Sequence, residues 1–265
     1  MKKLFLPIFA SFLLFSSCNV NYEGGFPFNV TQKEGTGPIK NREFNLSFDE
    51  IKVAQSIRAE IVKSEVEKVI VTAPDDILDE ILVENADGKL HIHFKPNINI
   101  SARNVAVKIF AKDFTKVKAS SSAKIFIKDK FTQDTTDIEV SSSGTIEGNL
   151  EANNLSLAVS SSGSFTGKIW AVNFTGKASS SGDVNLSGKT KNATISASSS
   201  GDFNAEQLAA ENADLKASSS GDIRIAVSDQ LSAAASSSGG ITVFKRGNLN
   251  ISSQEKSSGG RISIQ

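Results

Sequence analysis

From residue 117 onward, large apolar residues return in step with a short serine-rich phrase, and the positions between them are mostly polar. Each phrase closes on one of Ala123, Gly144, Gly163, Gly182, Gly201, Gly221, Gly239 and Gly260. Two positions later stand Ile125, Ile146, Phe165, Val184, Phe203, Ile223, Ile241 and Ile262. Six positions before stand Val117, Ile138, Leu157, Ile195, Leu215 and Ala233, with Gly176 and Gln254 as exceptions. Four before, Ala or Val fills the column from Ala119 to Ala235. This is the period-2 alternation of strands with one buried face.

The closing residues are 18 to 21 apart. A repeat this short, made of strands and turns, cannot bury its own apolar face and gains a core only by stacking. The pattern therefore predicts an all-β fold, a single-stranded parallel β-helix (solenoid) with one coil per repeat. Its coils stack at about 4.8 Å, and about ten of them make a rod of roughly 50 Å.

Continuing the alternation into the corner places the middle serine inside, at Ser121, Ser142, Ser161, Ser180, Ser199, Ser219, Ser237 and Ser258. Stacked there, the hydroxyls form a ladder in which each donates to one neighbour and accepts from the next. The first serine of each phrase, such as Ser160 or Ser179, then points outward. Gly144, Gly163, Gly182, Gly201, Gly221 and Gly239 are expected to close the corner at positive φ. Asn154, Asn173, Asn192 and Asn212 recur nine positions before the corner and predict a second corner with a short asparagine ladder.

The first half is less regular. Ile57–Ile61, Val66–Val71, Leu90–Phe94 and Val105–Phe110 alternate like strands, and residues 74–80 carry Pro and acids early, as at the start of a short helix. Residues 41–118 are read as irregular early coils of the same solenoid, and 119–265 as its regular coils; a separate small β domain over 41–118 is the alternative. Residues 19–40, rich in Gly, Asn and Pro, read as a flexible tether.

Lys2 and Lys3 precede an apolar run from Leu4 to Phe15, the pattern of a secretory signal over 1–18. The run Leu14-Phe15-Ser16-Ser17-Cys18 resembles a bacterial lipobox, although Phe15 stands where leucine is commonest. Cys18 is the only cysteine and has no disulfide partner in the chain, so it is assigned as the lipid-attachment residue. The alternative is an ordinary signal peptide with an incidental cysteine. Lys and Arg total 29 and Asp and Glu total 29, so the balanced charge excludes the basic footprint of a nucleic-acid binder.

The phrases Val105-Ala106-Val107-Lys108-Ile109-Phe110 and Phe114–Ser122, the repeated Ser-Ser-Ser-Gly-Asp, and the openings Phe48–Val53 and Val69–Pro74 together resemble a known family. It is a family of secreted proteins frequent in Bacteroidetes, known as a domain of unknown function and as the putative autotransporter-adhesin head (GIN) domain. The resemblance spans about residues 44–265 and implies a right-handed parallel β-helix in the cell envelope. It brings no catalytic residues.

Asp183, Asp202 and Asp222 follow the corner glycine in three consecutive coils. Stacking separates such carboxylates by about 4.8 Å or about 9.6 Å, distances that overlap those of glycosidase pairs. Any aspartate column in a solenoid gives the same spacing, and a catalytic pair needs unlike environments. They are therefore read as surface contact residues, and one acid per coil is too few for calcium. His91 and His93 face one side of a strand and can begin a metal site, but no third ligand is identifiable from the sequence, and no metal or cofactor is assigned. No serine is marked as a nucleophile by a nearby histidine. The corner serines lack the outward Thr-x-Thr pairs of an ice-binding face. The lone Trp170 reads as packing or a stray surface aromatic rather than a sugar platform.

The functional expectation is a non-enzymatic, outer-membrane-anchored lipoprotein of the cell envelope serving structural or adhesive display. A glycan or protein ligand fits such a module, and nucleic acid does not. The alternative is a carbohydrate-active β-helix enzyme, which needs a groove built by coil-breaking insertions. Arg261–Gln265 ends the given sequence as an apparent strand without an obvious capping helix, which predicts edge-to-edge self-association through the terminal coil or capping by a partner at that end.

Overall fold

The computed structural model describes residues 31–265. Strands β1 (Thr31–Lys33), β2 (Ile39–Asn45), β3 (Glu50–Val53), β4 (Arg58–Lys63) and β5 (Lys68–Pro74) lead to β6 (Ile81–Ala86) and β7 (Lys89–Phe94). Then come β8 (Ile98–Ile100), β9 (Ala106–Ala111), β10 (Lys116–Ala119) and the long strands β11 (Lys124–Val140), β12 (Thr145–Val159) and β13 (Ser164–Ala178). They continue as β14 (Asp183–Ala197), β15 (Asp202–Ala217), β16 (Asp222–Ala235), β17 (Gly240–Lys245), β18 (Asn250–Lys256) and β19 (Arg261–Ile264). The architecture is a parallel β-solenoid of about 8 turns, fewer than the ten expected. The helix expected over 74–80 is a single 3₁₀ turn at Leu78–Glu80.

Each long strand pairs in parallel with the next, so Ile146, Phe165, Val184, Phe203 and Ile223 stack as one column. The core is the sum of such columns, with Phe131, Phe165, Phe174 and Phe203 among its wholly buried side chains. Alternation breaks where two successive residues leave the core, as at Asn153-Asn154 and Val172-Asn173, and the coil bends there. A further bend absorbs the variation in coil length. From the inner residue before it to the one after, the chain advances two residues in Gly148–Leu150 and Gly167–Ile169, four in Ile127–Phe131, three in Ala205–Leu208 and one in Ile225–Ala226. The departures of +2 and +1 account for the coils of 21 and 20 residues that close at Gly144 and Gly221, while the 18-residue coil that closes at Gly239 is short at this bend and regains one residue between Val227 and Leu231, opposite Ala210–Ala213.

The serine corner has constant length because it is a fixed turn. Gly163 N donates to Ser160 O at 2.9 Å, and Ser161 and Ser162 between them take φ of 51° and 60°. Two central residues at positive φ match a type I′ turn. The pair recurs from Ser121-Ser122 to Ser237-Ser238, and Gln55-Ser56 (57° and 60°) is an earlier instance. Coils are tied at this corner by backbone, since Ser162 N donates to Ser180 O and Ser181 N to Ser199 O, both at 3.1 Å.

The first half departs from simple sequential coils. β3 lies between β7 and β10, and β4 lies between β9 and β11, all in parallel. The coil built from 50–63 therefore sits second in the stack, between the coil that contains β7 and β9 and the coil that begins at β10. The excursion that inverts this order is antiparallel: β5 pairs with β9 and with β2, and β6 pairs with β7. These strands close the first end of the rod. Its outermost strand there, β2, is mostly exposed and carries Lys40, Arg42 and Glu43, the charged kind of edge that resists further pairing. Residues 31–40, expected within the tether, are partly strand, because β1 finds a parallel partner in β8 and β2 begins at Ile39. The signal segment 1–18, with Cys18, and residues 19–30 lie outside the described residues.

Candidate functional site

The serine corner is scaffold, and its inside and outside are the reverse of the sequence expectation. Ser121, Ser142, Ser161, Ser180, Ser199, Ser219, Ser237 and Ser258 are exposed, the first serines from Ser120 to Ser236 are half-buried, and the glycines from Gly144 to Gly239 are buried. Two successive residues at positive φ turn the chain so that the inward position falls on the glycine, and no hydroxyl ladder forms. Nor do these glycines need positive φ. They are required by proximity: a Cβ on Gly182 would lie 2.5 Å from Val159 O, and one on Gly201 2.5 Å from Ala178 C, in the coil before.

The asparagine ladder is present. Asn173 donates to Asn154, Asn192 to Asn173 and Asn212 to Asn192, each from Nδ2 to Oδ1 at 2.9 Å. None of the four takes positive φ, so the ladder and the two-residue outward bend make this corner without a left-handed residue.

Asp183, Asp202 and Asp222 are in register as one column. Burial pushes the Asp202 carboxyl above its ordinary 3.8, the nearby Arg224 opposes this, and the charges of Asp183 and Asp222 reinforce it. Arg224 Nη1 stands 3.5 Å from Asp202 Oδ1, too far for a sound hydrogen bond, and that buried oxygen has no hydrogen-bond partner among the described residues. Asn185 Nδ2 approaches Asp183 Oδ1 at 3.4 Å. The column thus sets one carboxyl, pushed up by burial, between two others, beside one cation and amides.

The bend of variable length carries the surface relief. Asn149, Lys168, Ser187 and Gln207 occupy its outer positions, and the indole of Trp170, on the next outward position of β13, is 47% exposed. Trp170 stands between two shallow cavities of about 280 and about 400 Å³. The first is lined also by Lys130, Asn149, Glu151 and Lys168, the second by Lys189, Thr190, Lys191 and Glu211. An adjoining concavity of about 370 Å³ presents Asn149, Thr166, Asn185, Asn204 and Gln207. Asn204 Nδ2 donates to Asn185 Oδ1 at 3.1 Å, and Asn149 Oδ1 accepts from Lys168 N at 3.2 Å. Asn185 and Asn204 are held at both Oδ1 and Nδ2, Glu206 N also approaching Asn204 Oδ1 at 3.4 Å, whereas Asn149 is held at Oδ1 and keeps its Nδ2 for a ligand. The sequence reading took Trp170 as packing or a stray surface aromatic rather than a sugar platform, and did not see its neighbours, which share no motif. Besides the lone tryptophan, the legible signal was the change in coil length at this bend.

His91 and His93 do share a face, with ring centroids 4.1 Å apart at 22°. The third group that the sequence did not identify is Glu84, which lies opposite His91 in the antiparallel β6–β7 pair. Its signal was Asp87-Gly88, a hairpin dipeptide whose φ values here are 52° and 76°. Counting outward from that turn pairs Ala86 with Lys89, Asn85 with Leu90 and Glu84 with His91. Burial, then the charges of His93 and Lys52, hold His91 down at about 4, so it is neutral at pH 7. Among the described residues no helix is long and apolar enough to cross a membrane.

A family model described as "Putative auto-transporter adhesin, head GIN domain" matches residues 47–169 and again 146–247. Matching twice with an overlap is what self-similar coils produce. A putative adhesin from Parabacteroides distasonis superposes with a TM-score of 0.80 at 22% identity, over 88% of this chain and 100% of its own. A putative adhesin from Parabacteroides merdae gives 0.76 at 19% identity, over 89% and 100%. A third structure, described as a putative lipid binding protein from Parabacteroides distasonis, gives 0.71 at 21% identity, over 89% and 100%. No curated protein matches the sequence.

Proposed function

Because this chain belongs to the family of putative auto-transporter adhesins with a head GIN domain, we propose that it is a non-enzymatic display module of the cell envelope. In this reading the rod holds the bend around Trp170 as a binding face for a carbohydrate chain. The observation that carries it is the half-exposed indole set between two shallow cavities beside a row of amides. An indole face stacks on the C–H face of a sugar ring, and fixed amides hydrogen-bond its hydroxyls. The cavities are open and lie along the rod, which suits a polymer better than a small enclosed substrate. The Asp column lies on a face without coil-breaking insertions, which supports display over bond cleavage.

The rest of the proposal concerns placement. Lipidation at Cys18 would tether the rod to the outer membrane, with its charged end strand β2 on the N-terminal side. At the other end β18 and β19 pair with β16 and β17. Their outer edges are free for a second copy of the chain, and sedimentation as a monomer at all concentrations would remove this element.

Glycan and matrix-protein arrays probed with the purified chain test the binding face. The expected result is glycan binding that W170A abolishes without changing the melting temperature. Uniform absence of glycan binding, or binding that W170A leaves intact, overturns the assignment of this face.

A further inference from the structure

Glu84, His91 and His93 present one ligand atom each within 4.8 Å of one another, on the outer face at the first end of the rod. Their hydrogen bonds leave a gap that calls for a cation. His93 Nδ1 lies 2.8 Å from Phe94 O, and a carbonyl can only accept, so Nδ1 carries the proton. In the neutral ring Nε2 is then a lone pair, and it faces Glu84 Oε2 at 3.2 Å. Two acceptors at that distance are stable only with an electrophile between them, either a second proton on the ring or a metal ion. His91 Nε2, buried and without a hydrogen-bond partner among the described residues, is the remaining unsatisfied atom of the cluster.

We propose that Glu84, His91 and His93 form a three-ligand site for a divalent transition ion of the zinc type. Two imidazoles and one carboxylate match the donor set of three-ligand zinc sites, which leave the fourth position to water. Imidazole donors select against calcium and magnesium. The bond from His93 Nδ1 to a backbone carbonyl is the outer contact that fixes a ligating ring and its tautomer. Ligand atoms of a tetrahedral site with bonds of 2.0–2.2 Å are about 3.4 Å apart, so closure requires movement on the order of an ångström. Glu84, whose side chain is 59% exposed, can supply part of it, and the stacked rings of His91 and His93 must tilt from their 22° arrangement so that their in-plane lone pairs converge on one ion. The ion would join β6, whose only partner is β7, to the rest of the rod.

The test is calorimetric titration of the full chain with Zn²⁺ at pH 7.5, with Ca²⁺ as control, paired with thermal melts. One Zn²⁺ per chain and a melting temperature that rises with zinc concentration are expected. Affinity should fall as the pH is lowered, because zinc and protons compete for the same ligand atoms. E84Q, compared with its own metal-free melt, is expected to weaken binding roughly tenfold or more, at least the loss that removal of an outer contact to a ligand causes. H91A/H93A is expected to abolish binding. No zinc binding by the native chain, equal binding of Ca²⁺, or undiminished zinc binding by E84Q and H91A/H93A overturns the site.

Discussion

Gly176 stands in an inward column otherwise filled by Leu157, Ile195 and Leu215, and the reason is a phenylalanine in the next coil. A Cβ on Gly176 would come within 2.5 Å of Phe203 Cζ and 2.6 Å of Cε2, and within 3.1 Å of Phe174 Cε1. Both rings are buried, with centroids 6.1 Å apart, so neither can swing into solvent. G176A removes the entropy cost of glycine in a strand, a gain of about 0.5–1 kcal/mol. It also overpacks the core, at a cost of about 1–3 kcal/mol. The net expectation is destabilisation by about 1 to 2 kcal/mol. With F203L the obstructing ring atoms are gone, and the same G176A change should be neutral or stabilising. The coupling between the two sites should therefore reach about 1–3 kcal/mol. Urea unfolding of the four proteins, with m-values checked for constancy, measures it. Effects additive within about 0.5 kcal/mol, the range seen for independent sites, or a stabilising G176A in the native background, would refute the compensation.

Two further predictions concern the polar columns. Asn173 and Asn192 each make two ladder bonds, whereas Asn154 and Asn212 each make one. At about 1 kcal/mol per bond, alanine at an inner position should lower stability about twice as much as alanine at an end, and equal losses in urea melts would contradict the ladder's role. Asp202 has its carboxyl pushed above 3.8, chiefly by burial. The fold therefore prefers it protonated, and its charge opposes folding above the raised value. D202N should raise the urea midpoint at pH 7, and the advantage should vanish as the pH falls below 3.8. A lower midpoint for D202N at pH 7 would show that the contact with Arg224 outweighs the burial.

What the sequence disclosed depended on whether a feature repeats. The apolar columns, the coil length and the asparagine ladder each recur several times, so the period locates them without any knowledge of the turns. The orientation of Ser161 and Gly163 was not recoverable by extending the alternation, because two left-handed residues in succession break the rule being extended. Gln55-Ser56 adopts the same turn with different letters, and was invisible to a search for serines. The inverted order of the early coils and the meeting of Glu84 with His91 both follow from antiparallel pairing, which leaves no period to detect. Only the Asp87-Gly88 turn announced it locally.

The same contrast separates scaffold from surface. At the serine corner a glycine methyl would strike the preceding coil, and the same backbone bonds within and between turns recur at each level, so that corner repeats nearly unchanged from coil to coil. The bend before Leu150 and Ile169 gains or loses residues while the column of Ile146, Phe165, Val184, Phe203 and Ile223 keeps its register. A solenoid transmits only nearest-neighbour constraints, so a coil may vary where its neighbours do not depend on its length. Asn149, Lys168, Trp170 and Gln207 occupy that tolerant position, and Trp170 is the large apolar side chain in a column with Glu151, Lys189 and Ala209. A ligand-binding surface can diversify at such a bend without loss of the rod, whereas a change at Ser161 or Gly182 alters the contact that stacks one coil on the next.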